Sequence, residues 1–199
     1  QVFLNLLIDN AFLVIVAVGM TFVILSGGID LSVGSVVALT TMVLASLVER
    51  HGWSPTAAIP LVLAMGTVFG ACMGFLIERF RLQPFIVTLA GMFLARGLCY
   101  LISIDSISIT HEGYSDMAQW RWSLGESMSI SLGALIALGV LLAAAFIAHC
   151  TPFGRNVYAV GGCVHTAGLP GLTARRTLFG VSTLSRLSVA LAGVVFTFY

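Results

Sequence analysis

Lysine is absent from the 199-residue chain, so all nine basic residues are arginine. A phosphate-binding loop of the Gly-x-x-x-x-Gly-Lys-Ser/Thr kind uses its lysine to reach the nucleotide phosphates. Energy for any work done by this chain therefore has to come from a partner or from an ion gradient. Charged residues of both signs amount to only 9%, against about 25% in an ordinary soluble domain. That is too few to build a polar shell around a core of this size. A net charge of +1 leaves no field that would gather nucleic acid or an acidic substrate. The four cysteines, Cys72, Cys99, Cys150 and Cys163, fit no zinc or redox spacing and read as small packing residues. His51, His111, His149 and His165 fall in or beside connections, and neither H-E-x-x-H nor Gly-x-Ser-x-Gly occurs. No catalytic residue, metal ligand or cofactor is implied.

What the chain does have is apolar sequence, 59% of it. About 20 apolar residues cross the hydrocarbon core of a bilayer as a helix. Five stretches meet or approach that length: residues 2–25, 57–77, 85–102, 128–149 and 178–199. A sixth, residues 31–48, is shorter and carries Ser32, Ser35, Thr40, Thr41 and Ser46. These predict an all-α, polytopic helical membrane protein of about six transmembrane helices, one transmembrane domain over residues 1–199. Both ends of the chain lie in apolar runs, which reads as a piece cut from a longer membrane protein.

Arginine sets the orientation. Alternating the spans puts Arg79, Arg81, Arg155, Arg175 and Arg176 on one side and only Arg50 and Arg121 on the other. Short cytoplasmic loops are enriched in basic residues, so the first side is expected to be cytoplasmic. The acidic connection 103–127, with Trp120 and Trp122, then faces outward. Gly66, Gly70 and Gly74 repeat every four residues and share one helix face. Such a face lets another backbone approach closely, within the bundle or in a second subunit.

One segment violates the rule of unbroken membrane helices. Residues 21–35 read TFVILSGGIDLSVGS, with Gly27, Gly28 and Asp30 between two apolar stretches. Non-helical backbone at membrane depth needs protein or water around it, and broken helices mark binding sites in transporters. A broken or re-entrant segment is therefore expected near residues 26–35, with Asp30 as its sharpest residue. The alternative is a surface turn in which Asp30 caps the following helix. Arg186, roughly 12 Å into the last span, is the basic residue nearest to Asp30 in estimated depth. Arg96 lies roughly 16 Å into the fourth span and reads either as lining a path or as paired inside the bundle.

The stretch GMTFVILSGGIDLSVGSVVAL, residues 19–39, closely resembles the signature of bacterial sugar ABC importer permeases of the ribose and galactose type. LAGMFLARGLCYL, residues 89–101, and TPFGRNVYAVGG, residues 151–162, are similar to further segments of that family. Residues 7–35 look most like the permeases for galactofuranose. The resemblance implies an ATP-driven monosaccharide importer of the bacterial inner membrane. Its partners would be a separate ATP-binding cassette ATPase, a periplasmic sugar-binding protein and a second permease subunit, identical or not, within the lipid bilayer. It implies a translocation path through Gly27, Gly28, Asp30, Ser32, Ser35 and Arg96. It also implies a cytoplasmic coupling loop over residues 150–177, with Phe153, Gly154, Arg155, Gly161, Gly162 and Gly171 against the ATPase. The sequence departs from the family at Cys163, over residues 165–170 and at Arg186, a position normally small or apolar. An ion-coupled transporter and a degenerate, non-functional permease fragment stay open as alternatives. A membrane-embedded enzyme is disfavoured by the missing motifs.

Overall fold

The computed structural model of the chain describes residues 8, 10–123, 129–162 and 174–199. Asp9, Cys163, Gly171 and the 165–170 stretch lie outside the described residues. Six helices form the membrane-crossing layer. They are α1 (Ala11–Leu25), α2 (Val33–Ala45, continued by a π-helical turn Ser46–Arg50), α3 (Pro55–Phe80), α4 (Pro84–Ile102), α6 (Leu132–Cys150) and α8 (Ala174–Phe196). Five of the corresponding segments are long and apolar enough to cross a membrane, and α1 is shorter at 15 residues. The expected spans are thus present, and the break between α1 and α2 falls at residues 26–32.

Local chemistry sets the boundaries. Pro55 and Pro84 open α3 and α4 where the missing N–H costs nothing. Arg81 closes α3 in the left-handed conformation, φ 54°. Ser131 Oγ accepts from the Ala134 N–H at 3.3 Å and caps α6. The polar connection between α4 and α6 is more ordered than its composition suggests. It contains α5 (Glu112–Gln119) and a short antiparallel ribbon of β1 (Arg121–Ser123) and β2 (Ser129–Ser131). The basic connection after α6 contains a short helix, α7 (Pro152–Gly162).

The bundle is organised around α8. Of its membrane window 56% is buried, against at most 39% for the other four spans, which makes it the central helix. It packs on α1, α2, α3 and α7, most extensively on α3. Small residues make these contacts close. A Cβ at Gly66 would overlap Ala190, and one at Gly19 would lie 3.1 Å from Ser188 Cβ. Hydrocarbon offers no hydrophobic gain for helix association, so this close packing carries the fold. Large apolar side chains point outward instead, among them Phe93, Leu101, Leu142 and Phe146.

Two ends can be told apart. At one end α7 reaches Leu25, the last residue of α1, and the turn between α3 and α4 lies close by through Thr88 and Ile29. At the other, Arg50 bonds Ile102 O and Tyr114 meets Thr197. Arg79, Arg81, Arg155 and Arg176 lie on or beside the elements at the first end, the end that the arginine asymmetry predicts to be cytoplasmic.

Candidate functional site

The break between α1 and α2 is built by its glycines and held by its polar side chains. Ser26 Oγ donates to Val23 O at 2.8 Å, and the Gly28 N–H donates to the same carbonyl at 3.0 Å. Gly27 has φ +76°, a conformation that glycine adopts without strain. The chain thereby turns under the end of α1, and Asp30 is buried. Its Oδ1 accepts from the Ser32 N–H at 3.0 Å and from Ser32 Oγ at 3.1 Å. This local turn closes at the start of α2, where the helix N-terminus also favours negative charge.

Asp30 Oδ2 pairs with Arg186 Nη1, which joins the break to the middle of the central helix. The pair is only 8% and 2% exposed, so lipid and bulk water are both excluded. Gly70 makes the space: a Cβ there would overlap the Cβ and Cγ of Arg186. Arg186 Nη2 lies 3.8 Å from Met73 Sδ, and Arg186 Nε and Ser185 Oγ have no hydrogen-bond partner among the described residues. A cavity of about 40 Å³ lies beside the pair, bounded by Ser26, Gly28, Thr88 and Ser182. A water needs roughly 10–15 Å³ of such space, so the cavity holds a few waters, and it falls far below the roughly 300 Å³ of a small-molecule pocket.

The sequence-predicted residues divide accordingly. Gly27, Gly28, Asp30 and Ser32 come together in the turn, and Ser35 is buried one turn into α2. Arg96 does not join them. It is exposed on α4, two turns beyond Thr88, beside the outward-facing Phe93 and Tyr100. The glycine stripe of α3 meets α8 within the same chain, and Gly70 is the slot for Arg186. Composition shows such a stripe but does not say which helix fills it. Thr88, whose Oγ1 lies 3.5 Å from Ile29 O, carried no signal in the sequence.

α7 forms the second element of the site. It buries Gly154, Val157 and Val160 and exposes Arg155, Tyr158 and Gly162. Thr151 Oγ1 accepts from the Gly154 N–H at 3.3 Å at its start. Phe153 is half-buried, with its ring 6.4 Å from that of Phe22 and packed against Gly180. A Cβ at Gly154 would overlap Ala148 O, and one at Gly161 would overlap Leu25 O. Phe153, Gly154 and Gly161 therefore seat α7 on the bundle, and Arg155 and Gly162 are left facing outward. Among the described residues, no group of three or more His, Cys, Asp or Glu is placed to hold a metal ion.

The inner membrane ABC transporter permease protein YjfF of Escherichia coli strain K12 is 49% identical over 199 residues, 100% of this chain and 60% of that protein. The fructose import permease protein FruG of Bifidobacterium longum is 40% identical, covering 97% of this chain and 58% of that protein. The ribose import permease protein RbsC of Escherichia coli strain K12 is 35% identical over 192 residues, 96% of this chain and 59% of that protein. The chain thus spans about three-fifths of the length of the curated relatives it matches. No solved structure gives a significant match. Residues 2–199 match one family profile, and the chain belongs to that family, described as branched-chain amino acid transport system / permease component.

Proposed function

We propose that the chain is the membrane-spanning part of the permease subunit of an ATP-driven sugar importer in the bacterial inner membrane. The reading takes its cargo class from relatives named as ribose and fructose import permeases. Galactofuranose as the sugar rests on the likeness of residues 7–35 alone. ATP hydrolysis belongs to a separate cassette ATPase at the arginine-rich end. A sugar-binding protein delivers cargo at the opposite end, and a second permease subunit completes the path.

One observation carries the reading: α7 sits on the last residue of α1, immediately before the break that Asp30 ties to the central helix. A push on the exposed face of α7 reaches Leu25 and Phe22 directly. From there it reaches the Ser26–Ser32 turn, and through the ion pair it reaches α8. Turn, pair and helix move together or the pair breaks, which gives the movement two discrete arrangements. Asp30 and Arg186 act here as a mechanical joint, since the space beside them admits no sugar. Arg155 projects from α7 as the charged residue available to the ATPase.

The test is Arg155→Glu in the complete permease, co-expressed with its ATPase. Membrane abundance stays unchanged and co-purification of the ATPase falls. Wild-type co-purification together with wild-type uptake would take Arg155 out of the contact and α7 out of the drive.

A further inference from the structure

Arg186 carries more hydrogen-bond donors than the described residues give it acceptors. A guanidinium presents a rigid fork of N–H groups and always keeps its charge. Nη1 bonds Asp30 Oδ2, and Nη2 has only the sulfur of Met73, a weak acceptor at 3.8 Å. Nε is buried and has no partner among the described residues. The residue is 2% exposed, so bulk water does not supply what is missing. Charged donors left unmet in an apolar interior are costly.

The small cavity beside the pair answers this need. Arg186 and Asp30 line it themselves, together with Ser26, Thr88 and Ser182. Ser26 Oγ donates to Val23 O at 2.8 Å and Thr88 Oγ1 to Phe85 O at 3.2 Å, and each hydroxyl keeps lone pairs as acceptors. Ser182 makes no side-chain hydrogen bond among the described residues. A buried water takes two to four polar partners, and this wall offers more than one water requires. The walls are all internal segments: the end of α1, the break, α3, the start of α4 and the first half of α8.

We infer that this cavity is an internal water site, in which a small cluster of ordered waters accepts the free donors of Arg186 and passes hydrogen bonds on to Ser26, Thr88 and Ser182. These waters give the Asp30–Arg186 pair a way to part. In a dry site, separation strands both charges. With waters at hand, one moves into each vacated position, and the pair opens and recloses with its hydrogen bonds replaced rather than lost. The water site stands on the geometry alone, and its part in movement rests on the importer reading.

The test is X-ray hydroxyl-radical labelling, read by mass spectrometry, on the complete permease in lipid nanodiscs. The beam makes radicals from water, and these oxidise the side chains beside it. Met73 lines the cavity although it is only 5% exposed. Met65 is the control: it lies on the same helix, is more exposed, and packs among apolar residues. A buried methionine without water beside it is reached only through local opening, and about 1.4 kcal/mol of opening is tenfold in rate. Met73 is expected to label at least about tenfold faster than Met65 in the wild type. Ser182→Leu fills the cavity from α8 and Thr88→Leu from α4, and unfolding in mixed micelles shows which of them folds. In a folded variant Met73 falls to the rate of Met65. Met73 no faster than Met65 in the wild type would overturn the water site, and this comparison needs no variant. Fast labelling that persists in a folded, filled variant would overturn it as well. In that variant ATP-driven sugar uptake is expected to fall at least about tenfold at equal protein content. Wild-type uptake with Met73 protected would overturn the role in movement. Absence of ATP-driven sugar uptake in the wild type would remove the importer reading and leave the water site standing.

Discussion

Removing one partner of the Asp30–Arg186 pair has consequences that its hydrogen bonds make unequal. Asp30→Asn leaves a guanidinium that is 2% exposed and cannot give up its proton. Its remaining neighbours are an amide oxygen and the Met73 sulfur at 3.8 Å. Stranding a buried charge in this way costs about 3–5 kcal/mol. Arg186→Met leaves Asp30 with both Ser32 bonds and the N-terminus of α2, and it also removes the unpartnered Nε. That loss is smaller, about 1–3 kcal/mol. Carrying both changes removes both charges and fills the slot beside Gly70 with an apolar chain of similar length. The amide oxygen at position 30 still accepts from Ser32, and removing both charges of a buried pair is often close to neutral, so the double variant stays within about 2 kcal/mol of wild type. The two single effects are therefore strongly non-additive, with a coupling of at least about 2 kcal/mol. The assay is unfolding of the purified protein in mixed micelles by titration with dodecyl sulfate, for all four members of the cycle. A double variant whose loss equals the sum of the singles within about 0.5 kcal/mol would refute the pairing. So would two singles indistinguishable from wild type.

Further outcomes follow from the packing. Gly70→Ala forces a methyl group into Arg186 and costs about 1–3 kcal/mol in the same unfolding assay, a loss that Arg186→Ala does not relieve, because the Cβ of residue 186 stays 2.5 Å from the new methyl. Gly139→Ala meets open space and changes stability by less than about 0.5 kcal/mol. Gly161→Ala pushes α7 off Leu25 O, so ATPase activity measured in the assembled complex loses its dependence on sugar while the ATPase stays bound. Tyr114 has a raised folded-state pKa of about 12, against about 10 when unfolded. Its neutral form is favoured by folding, so its contribution is fully present below about pH 10 and is lost as pH rises through about 12. Thermal unfolding between pH 9 and pH 12 checks this, and Tyr114→Phe flattens that part of the decline.

The six apolar helices were legible because span length and hydropathy are properties of single segments. Asp30 and Arg186 were legible as a pair because both are charges at similar depth, where lipid leaves each without another partner. The glycine stripe of α3 announced close packing, but its partner α8 is a tertiary fact that no local pattern encodes. Arg96 had the same sequence signature as Arg186, a lone arginine in an apolar span. Its exposure differs because α4 stands at the edge of the bundle and α8 at its centre. Phe153, Gly154 and Gly161 stood with Arg155 as one motif, and only the fold separates those that seat α7 from the one that projects. Helix α5 escaped notice because the residue it buries fully, Tyr114, has its partner Thr197 83 positions away.

The role proposed for the chain is ATP-driven movement of a monosaccharide through the inner membrane. The most direct measurement reconstitutes the complete permease with its ATPase and binding protein in proteoliposomes and follows labelled monosaccharide and labelled leucine. The expected result is sugar accumulation that requires ATP and the ATPase and is lost in Asp30→Asn at equal protein content. Leucine accumulation, or sugar uptake driven by an ion gradient without the ATPase, would contradict it.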